Sequence, residues 1–133
     1  MKRIMIITTA SVIGLTLQGC SNYQPTYNVS HQTLPALAES LTEQDIGRTI
    51  MEAAKERGWT CSQIQPNKLI CKLRHHEDDV TIDISFNKKD FSITHITAGK
   101  MDAGEDQVHH RYNRWVKLLR NDILNKLETR GNF

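Results

Sequence analysis

The chain has 133 residues, of which 38% are hydrophobic and 24% are charged, with 17 Lys and Arg against 15 Asp and Glu. This length suits one domain with a short extension, and the small net charge of +2 argues against a protein that binds nucleic acid. Two of the basic residues, Lys2 and Arg3, belong to the leader described next, so the processed chain holds 15 basic and 15 acidic residues.

The N-terminus has the pattern of an exported protein. Lys2 and Arg3 precede the apolar run 4–17, which is typical of a secretory signal and too short for a membrane span of roughly 20 residues. The sequence Leu-Gln-Gly-Cys at 17–20 resembles the box that bacterial lipoprotein processing cuts. An ordinary secreted protein with an unrelated cysteine remains the alternative.

This resemblance implies a membrane address. Cys20 would become the first residue of the mature protein and carry acyl chains, palmitate among them, which together anchor a protein stably. Ser21 follows, and a residue other than Asp there implies transport to the outer membrane, with the chain facing the periplasm. We therefore predict a lipoprotein signal peptide over 1–19 and a lipidated cysteine with a flexible tether over 20–41. An α+β periplasmic domain is expected over 42–133.

The tether prediction depends on composition. Residues 21–41 are polar, contain Pro25 and Pro35, and show no clear period, so we expect disorder to about His31.

A helix is predicted over 43–57. Thr42 is a good N-cap, with Asp45 three residues later as in a capping box, and Gly58 suits a left-handed end. Ile46 and Ile50 belong to a narrow apolar stripe.

Four strands are predicted next, over 59–64, 68–74, 80–86 and 91–96, because apolar and polar residues alternate between short turns. Short turns favour an antiparallel meander.

The two cysteines that remain after Cys20 lie in the first hairpin. If Ile64 pairs with Lys68 across a three-residue turn, Cys61 faces Cys71, and an oxidising periplasm permits a disulfide between them. Two buried thiols are the alternative. Their ten-residue separation does not suit a zinc site.

The last helix is predicted over 107–129, with Asp106 as its cap. Its apolar stripe is wide enough to cover one face of a sheet: Val108, Tyr112, Trp115, Leu119, Ile123 and Leu127. The predicted fold is α+β, in the order α-β-β-β-β-α, with a four-stranded antiparallel sheet and both helices on one face.

Three segments carry a second resemblance. Residues 108–116 (VHHRYNRWV) resemble the IHxxYNxWV signature of a family of small bacterial lipoproteins, which also has an Arg-Gly-Trp, here 57–59. The family strand "ysIxY" corresponds to 91–95, where His95 replaces the usual aromatic residue. The resemblance spans about 43–125 and implies a fold and an envelope location, but no activity.

Two groups of side chains are candidate metal ligands. His95 could meet His109 across the interface between sheet and helix, and the polar turn 75–79 adds imidazoles and carboxylates, which suit Zn, Ni or Cu. Adjacent histidines in this chain are expected to point apart, and the turn more often serves only as a solvated loop. The prediction is therefore no metal, with a metal-binding lipoprotein as the alternative function.

No catalytic constellation is evident. Tyr112 reads as a core residue, while His109 and Asn113 are expected to bond the helix to a neighbouring segment. We find no Ser or Cys nucleophile with a His partner, and a sheet under two helices offers little concavity for paired carboxylates. We predict no enzymatic activity and no cofactor.

The outward sheet face is the preferred docking surface. We predict a non-enzymatic binding or accessory module that acts through contacts with an envelope protein, without a role for nucleic acid. The alternative is a solvated face without a partner. The face would carry Thr60, Ser62, Lys72, Arg74, Thr81, Asp83, Ser85, Ser92 and Thr94, with Ile64, Ile70 and Ile96 as apolar points.

Overall fold

The computed structural model of the protein describes residues 22–132, so the predicted leader and Cys20 lie outside the described residues. The helices are a 3₁₀ helix (Ala36–Ser40), α1 (Glu43–Glu56), a 3₁₀ turn (Gly99–Met101) and α2 (His110–Gly131). The strands are β1 (Tyr23–Pro25), β2 (Val29–Thr33), β3 (Thr60–Gln65), β4 (Lys68–His75), β5 (Asp78–Phe86), β6 (Asp90–Thr97) and β7 (Gln107–His109).

Seven strands form two antiparallel sheets in the described part of the chain. A five-stranded sheet has the order β2-β6-β5-β4-β3, and β1 pairs with β7 in a two-stranded sheet. The α+β class is confirmed, but the prediction of four strands is wrong. The fifth strand is β2, whose sequence Val-Ser-His-Gln-Thr shows no apolar alternation because only Val29 is buried against the core.

The prediction of a flexible tether is wrong for residues 22–41. Val29, Leu34, Ala38 and Leu41 are buried in the core, and β1 begins at Tyr23. Much of this segment is held by hydrogen bonds to distant residues rather than by a continuous apolar face, so its composition did not reveal it. The folded region consequently begins within three residues of Cys20.

The predicted start of α1 is confirmed. The Asp45 N–H donates to Thr42 Oγ1 over 3.0 Å, and the Thr42 N–H donates to Asp45 Oδ2 over 3.1 Å, which completes a capping box. Gly58 follows the helix with a φ of 92°, in the region that glycine adopts without a steric penalty.

The predicted start of α2 is wrong by three residues. Gln107–His109 form β7 against β1, and the N-cap is His109 rather than Asp106. The Arg111 N–H donates to His109 Nδ1 over 3.1 Å. Residues 107–109 pair with β1 instead of joining the helix, because the segment that was predicted to be a tether is ordered and supplies this strand.

Both helices pack on one face of the five-stranded sheet. A single core joins buried residues of α1 and α2 with those of the central strands, and Trp115 is only half-buried at its margin. The largest fully buried side chains include Ile46, Ile50, Leu69, Ile82, Ile84, Phe91, Ile93, Tyr112, Leu119, Ile123 and Leu127. Among the described residues, no helix combines the length and apolarity needed to cross a bilayer.

The predicted disulfide is confirmed. Cys61 and Cys71 are directly opposed on β3 and β4 and are bonded to each other. The turn differs from the prediction, because Gln65 rather than Ile64 pairs with Lys68 and a bulge falls between Gln63 and Gln65.

Candidate functional site

The hairpins divide the sheet into two ends. The β4–β5 turn and the C-terminal end of β6 lie at one end of the sheet. The β3–β4 and β5–β6 turns lie at the opposite end. Lys100 ties the loop after β6 to this turn, since its N–H donates to Asp78 Oδ1 over 3.1 Å and its Nζ lies 2.8 Å from Glu77 Oε2. We call this the β4–β5 end; α1 finishes and α2 begins there.

A cavity of about 400 Å³ opens between the end of α1, the strands β3 and β4, and the first turns of α2. We call it the Trp cavity. Its lining combines three basic residues, two indoles and two leucines: Arg57, His75, Arg114, Trp59, Trp115, Leu73 and Leu118.

The indoles are held differently. Trp59 is almost wholly buried, at 3% exposure, and its backbone N–H donates to the Ala54 carbonyl over 2.9 Å. Trp115 is half-buried, with its ring centroid 5.0 Å from that of His75. The Nδ1 atom of His75 is buried without a hydrogen-bond partner. The accessible aromatic surface of the cavity therefore comes mainly from Trp115.

The two guanidinium groups differ in their partners. Arg57 is bonded through Nε and Nη2 to the carboxylate of Asp122, which neutralises it. Arg114 is exposed on α2 and makes no side-chain hydrogen bond or ion pair with the described residues. Since no carboxylate lines the cavity, Arg114 leaves an uncompensated positive charge at its mouth.

His95 is engaged in a local network. Its Nε2 lies 2.7 Å from Asp102 Oδ1, and its ring meets the edge of Tyr112 at a centroid distance of 5.1 Å. Asp102 Oδ2 also accepts from the Ala98 N–H over 2.8 Å and from Thr97 Oγ1 over 3.1 Å. This carboxylate therefore fixes the loop after β6, and His95 serves to hold it.

Tyr112 is a core residue, as predicted. Burial, and secondarily the charge of Asp102, raise the pKa of its phenol above the ordinary value, so it stays protonated. Its hydroxyl has no hydrogen-bond partner.

His109 is used as a helix cap. Burial first, and then the charges of His110 and Arg111, lower the pKa of its imidazole, against a smaller opposite effect of Asp78. A neutral ring suits the cap, because Nδ1 must keep its lone pair to accept the hydrogen bond from the Arg111 N–H.

The structure does not gather the candidate metal ligands. His95 contacts Asp102 and His109 caps α2, and no group of three or more His, Cys, Asp or Glu side chains in residues 22–132 could hold a metal ion. The metal-binding alternative therefore gains no support from this geometry.

The expectation that adjacent histidines point apart is wrong. The rings of His75 and His76 have centroids 4.2 Å apart, because His76 takes a left-handed φ of 57° in the turn. The rings of His109 and His110 lie 4.4 Å apart, since His109 is extended and only His110 is helical.

The outward face of the sheet is polar, with Lys68 and Asp83 paired at 3.2 Å on it. Ile64 and Ile96 are exposed at 52% and 48%, but they lie on β3 and β6. Those strands are three spacings apart, about 14 Å, so the two residues do not form a continuous apolar patch.

The Trp cavity was not predicted from the sequence, in which Trp115 belongs to the apolar stripe of the last helix. The cavity forms where three distant chain segments meet, around Arg57 and Trp59, around His75, and around Arg114 and Trp115. Comparisons of the chain with protein families, with curated proteins and with solved structures found no match, so the lipoprotein-family resemblance stays a prediction.

Proposed function

We propose that the protein is a lipid-anchored, non-enzymatic binding module of the cell envelope that acts through protein contacts. The observation that carries the binding role is the Trp cavity. Trp and Arg are the residue types that most often dominate the energetics of protein interfaces, and Trp59, Trp115 and Arg114 converge there. The outer sheet face, polar and without an apolar patch, is less suited to this role.

The lipidation box at Cys20 supports the anchor, on the outer membrane with the domain in the periplasm. Described structure begins at Asn22, and the His110 N–H donates to its carbonyl over 2.8 Å. Two residues span at most about 7 Å, so an acylated Cys20 would hold the start of α2 close to the bilayer. The partner would therefore be a protein at or near the membrane surface.

The Cys61–Cys71 disulfide is consistent with this compartment. Disulfides persist in oxidising environments such as the bacterial periplasm and are rare in the cytosol.

Site-specific photocrosslinking in cells tests the binding role. A photoreactive phenylalanine analogue replaces Leu118 at the cavity, and in a matched protein it replaces Thr94 on the outer sheet face. We expect a crosslinked protein adduct from position 118 and none from position 94. Adducts only at position 94 would move the interface to the sheet, and adducts at neither position would contradict the proposal.

Membrane fractionation tests the anchor separately. The Cys20→Ala protein should leave the outer-membrane fraction and become soluble, whereas Cys61→Ala/Cys71→Ala should stay in it. If the Cys20→Ala protein still sediments with the outer membrane, Cys20 is not the anchor.

A further inference from the structure

We propose that the Trp cavity binds an acidic peptide segment, in which a carboxylate lies next to a flat apolar side chain. This inference rests on the proposed function, because it names the chemistry of the partner that the same cavity would recognise.

The size of the cavity suits one such residue. Its volume of about 400 Å³ is near the lower end of the range of roughly 300–1,000 Å³ over which ligand pockets occur. A single aromatic residue with its adjoining backbone fits this space, whereas a folded surface would enter it only through such a protruding side chain.

The charge selects the anion. Asp122 already occupies the guanidinium of Arg57, but Arg114 has its donors available at the cavity mouth. A planar guanidinium binds a carboxylate through two parallel hydrogen bonds, which gives geometric selectivity as well as attraction. Asp79, in the β4–β5 hairpin, is exposed and pairs with Arg74 at 3.7 Å, outside the lining, so it does not neutralise Arg114.

The walls select the ring. Trp115 presents most of the aromatic surface, because Trp59 is 3% exposed, and Leu73 and Leu118 add aliphatic surface. Aromatic groups pair favourably in edge-to-face or offset arrangements, beyond the area that they bury.

Three small probes separate the contribution of the ring from that of the carboxylate. Each probe is titrated into the purified full-length protein, and tryptophan fluorescence reports binding. N-acetyl-phenylalanine carries both the ring and the carboxylate, its amide lacks the charge, and N-acetyl-alanine lacks the ring. We expect saturable binding of the first probe and about tenfold weaker binding of each of the others. Equal binding of all three probes, or binding of none, would overturn the inference.

Two matched variants locate the carboxylate contact. Arg114→Gln should weaken N-acetyl-phenylalanine to the level of its amide. Arg111→Gln removes the same charge from an exposed position on the same helix, outside the lining, and should bind like the wild type. Equal weakening by both variants would indicate unspecific electrostatic attraction and contradict the inference. Both residues are exposed, and circular dichroism checks that the fold is intact.

The outcomes distinguish the two proposals. Crosslinking to a protein at position 118 without binding of the probes would leave the binding module standing and remove the acidic-peptide specificity. Probe binding that Arg114→Gln weakens to the level of the amide, without any crosslinked protein, would uphold the chemistry of the cavity and contradict the proposed protein partner.

Discussion

Asn113 of α2 holds the chain at Tyr27, whose backbone N–H donates to Asn113 Oδ1 over 2.9 Å. The Nδ2 group of the same side chain donates to the Pro25 carbonyl over 2.9 Å and to Gln24 Oε1 over 3.2 Å. One side chain, 3% exposed, thus fixes residues 24–27 to α2.

We expect Asn113→Ala to destabilise the protein by about 1–3 kcal/mol, because it leaves the Tyr27 N–H and the Pro25 carbonyl without partners. Hydrogen exchange of residues 22–28 should accelerate strongly, while exchange in β4 and β5 changes little. Asn125→Ala, on the exposed side of α2, is the control and should alter neither quantity. Unchanged exchange over 22–28 would contradict the role of Asn113.

Reduction of the Cys61–Cys71 disulfide should lower the free energy of unfolding by about 2.5–3 kcal/mol, on the chain-entropy estimate for a loop this short. Urea unfolding with and without a reductant measures the difference, and a thiol count verifies the reduction. The native sheet should survive, because the neighbouring strands β4, β5 and β6 stay paired. Equal midpoints for the fully reduced and the oxidised protein would rule out a stabilising role.

Gly47 and Phe86 are in close contact across α1 and β5. A methyl group added at Gly47 would lie 2.6 Å from Phe86 Cζ. Gly47→Ala gains about 1 kcal/mol of helix propensity but incurs about 1–3 kcal/mol of overpacking.

We therefore expect a net destabilisation by up to about 2 kcal/mol in the wild-type background. In a Phe86→Leu background, which makes room for the methyl group, Gly47→Ala should be neutral or stabilising. A double-mutant cycle in urea measures the coupling, and additive effects would show that the two residues do not clash.

His109 should make stability depend on pH. The pKa of its imidazole is lower in the folded protein than the ordinary 6.5, so the unfolded chain binds the proton more tightly. The contribution of His109 to stability is therefore fully present above pH 6.5. It is lost as the pH falls through the pKa that the imidazole has in the folded protein.

His109→Asn keeps a good N-cap and removes the titrating ring. We expect its urea midpoint to fall less than that of the wild type between about pH 7.5 and about pH 5. Identical pH dependence of the two proteins would show that residue 109 does not contribute.

Local sequence patterns were sufficient for much of this protein. The capping box at Thr42, the alternation in β5 and the opposed Cys61 and Cys71 all depend on neighbours within one helix or hairpin, where periodicity and turn length determine the geometry. The register of the β3–β4 hairpin also depends on nearby residues. The bulge near Ile64 shifted the turn by one residue from the prediction, but Cys61 and Cys71 stayed opposed.

The tertiary structure decided what depends on distant partners. Residues 22–33 carry too few apolar side chains to predict order, yet β6, β7 and Asn113 supply the hydrogen bonds that fix them. The Trp cavity exists because α1, β4 and α2 finish or begin at one end of the sheet and bring Arg57, Trp59, His75, Arg114 and Trp115 together. The proposed membrane address, by contrast, rests on the N-terminal sequence alone, because lipoprotein processing recognises a short linear motif rather than a folded surface.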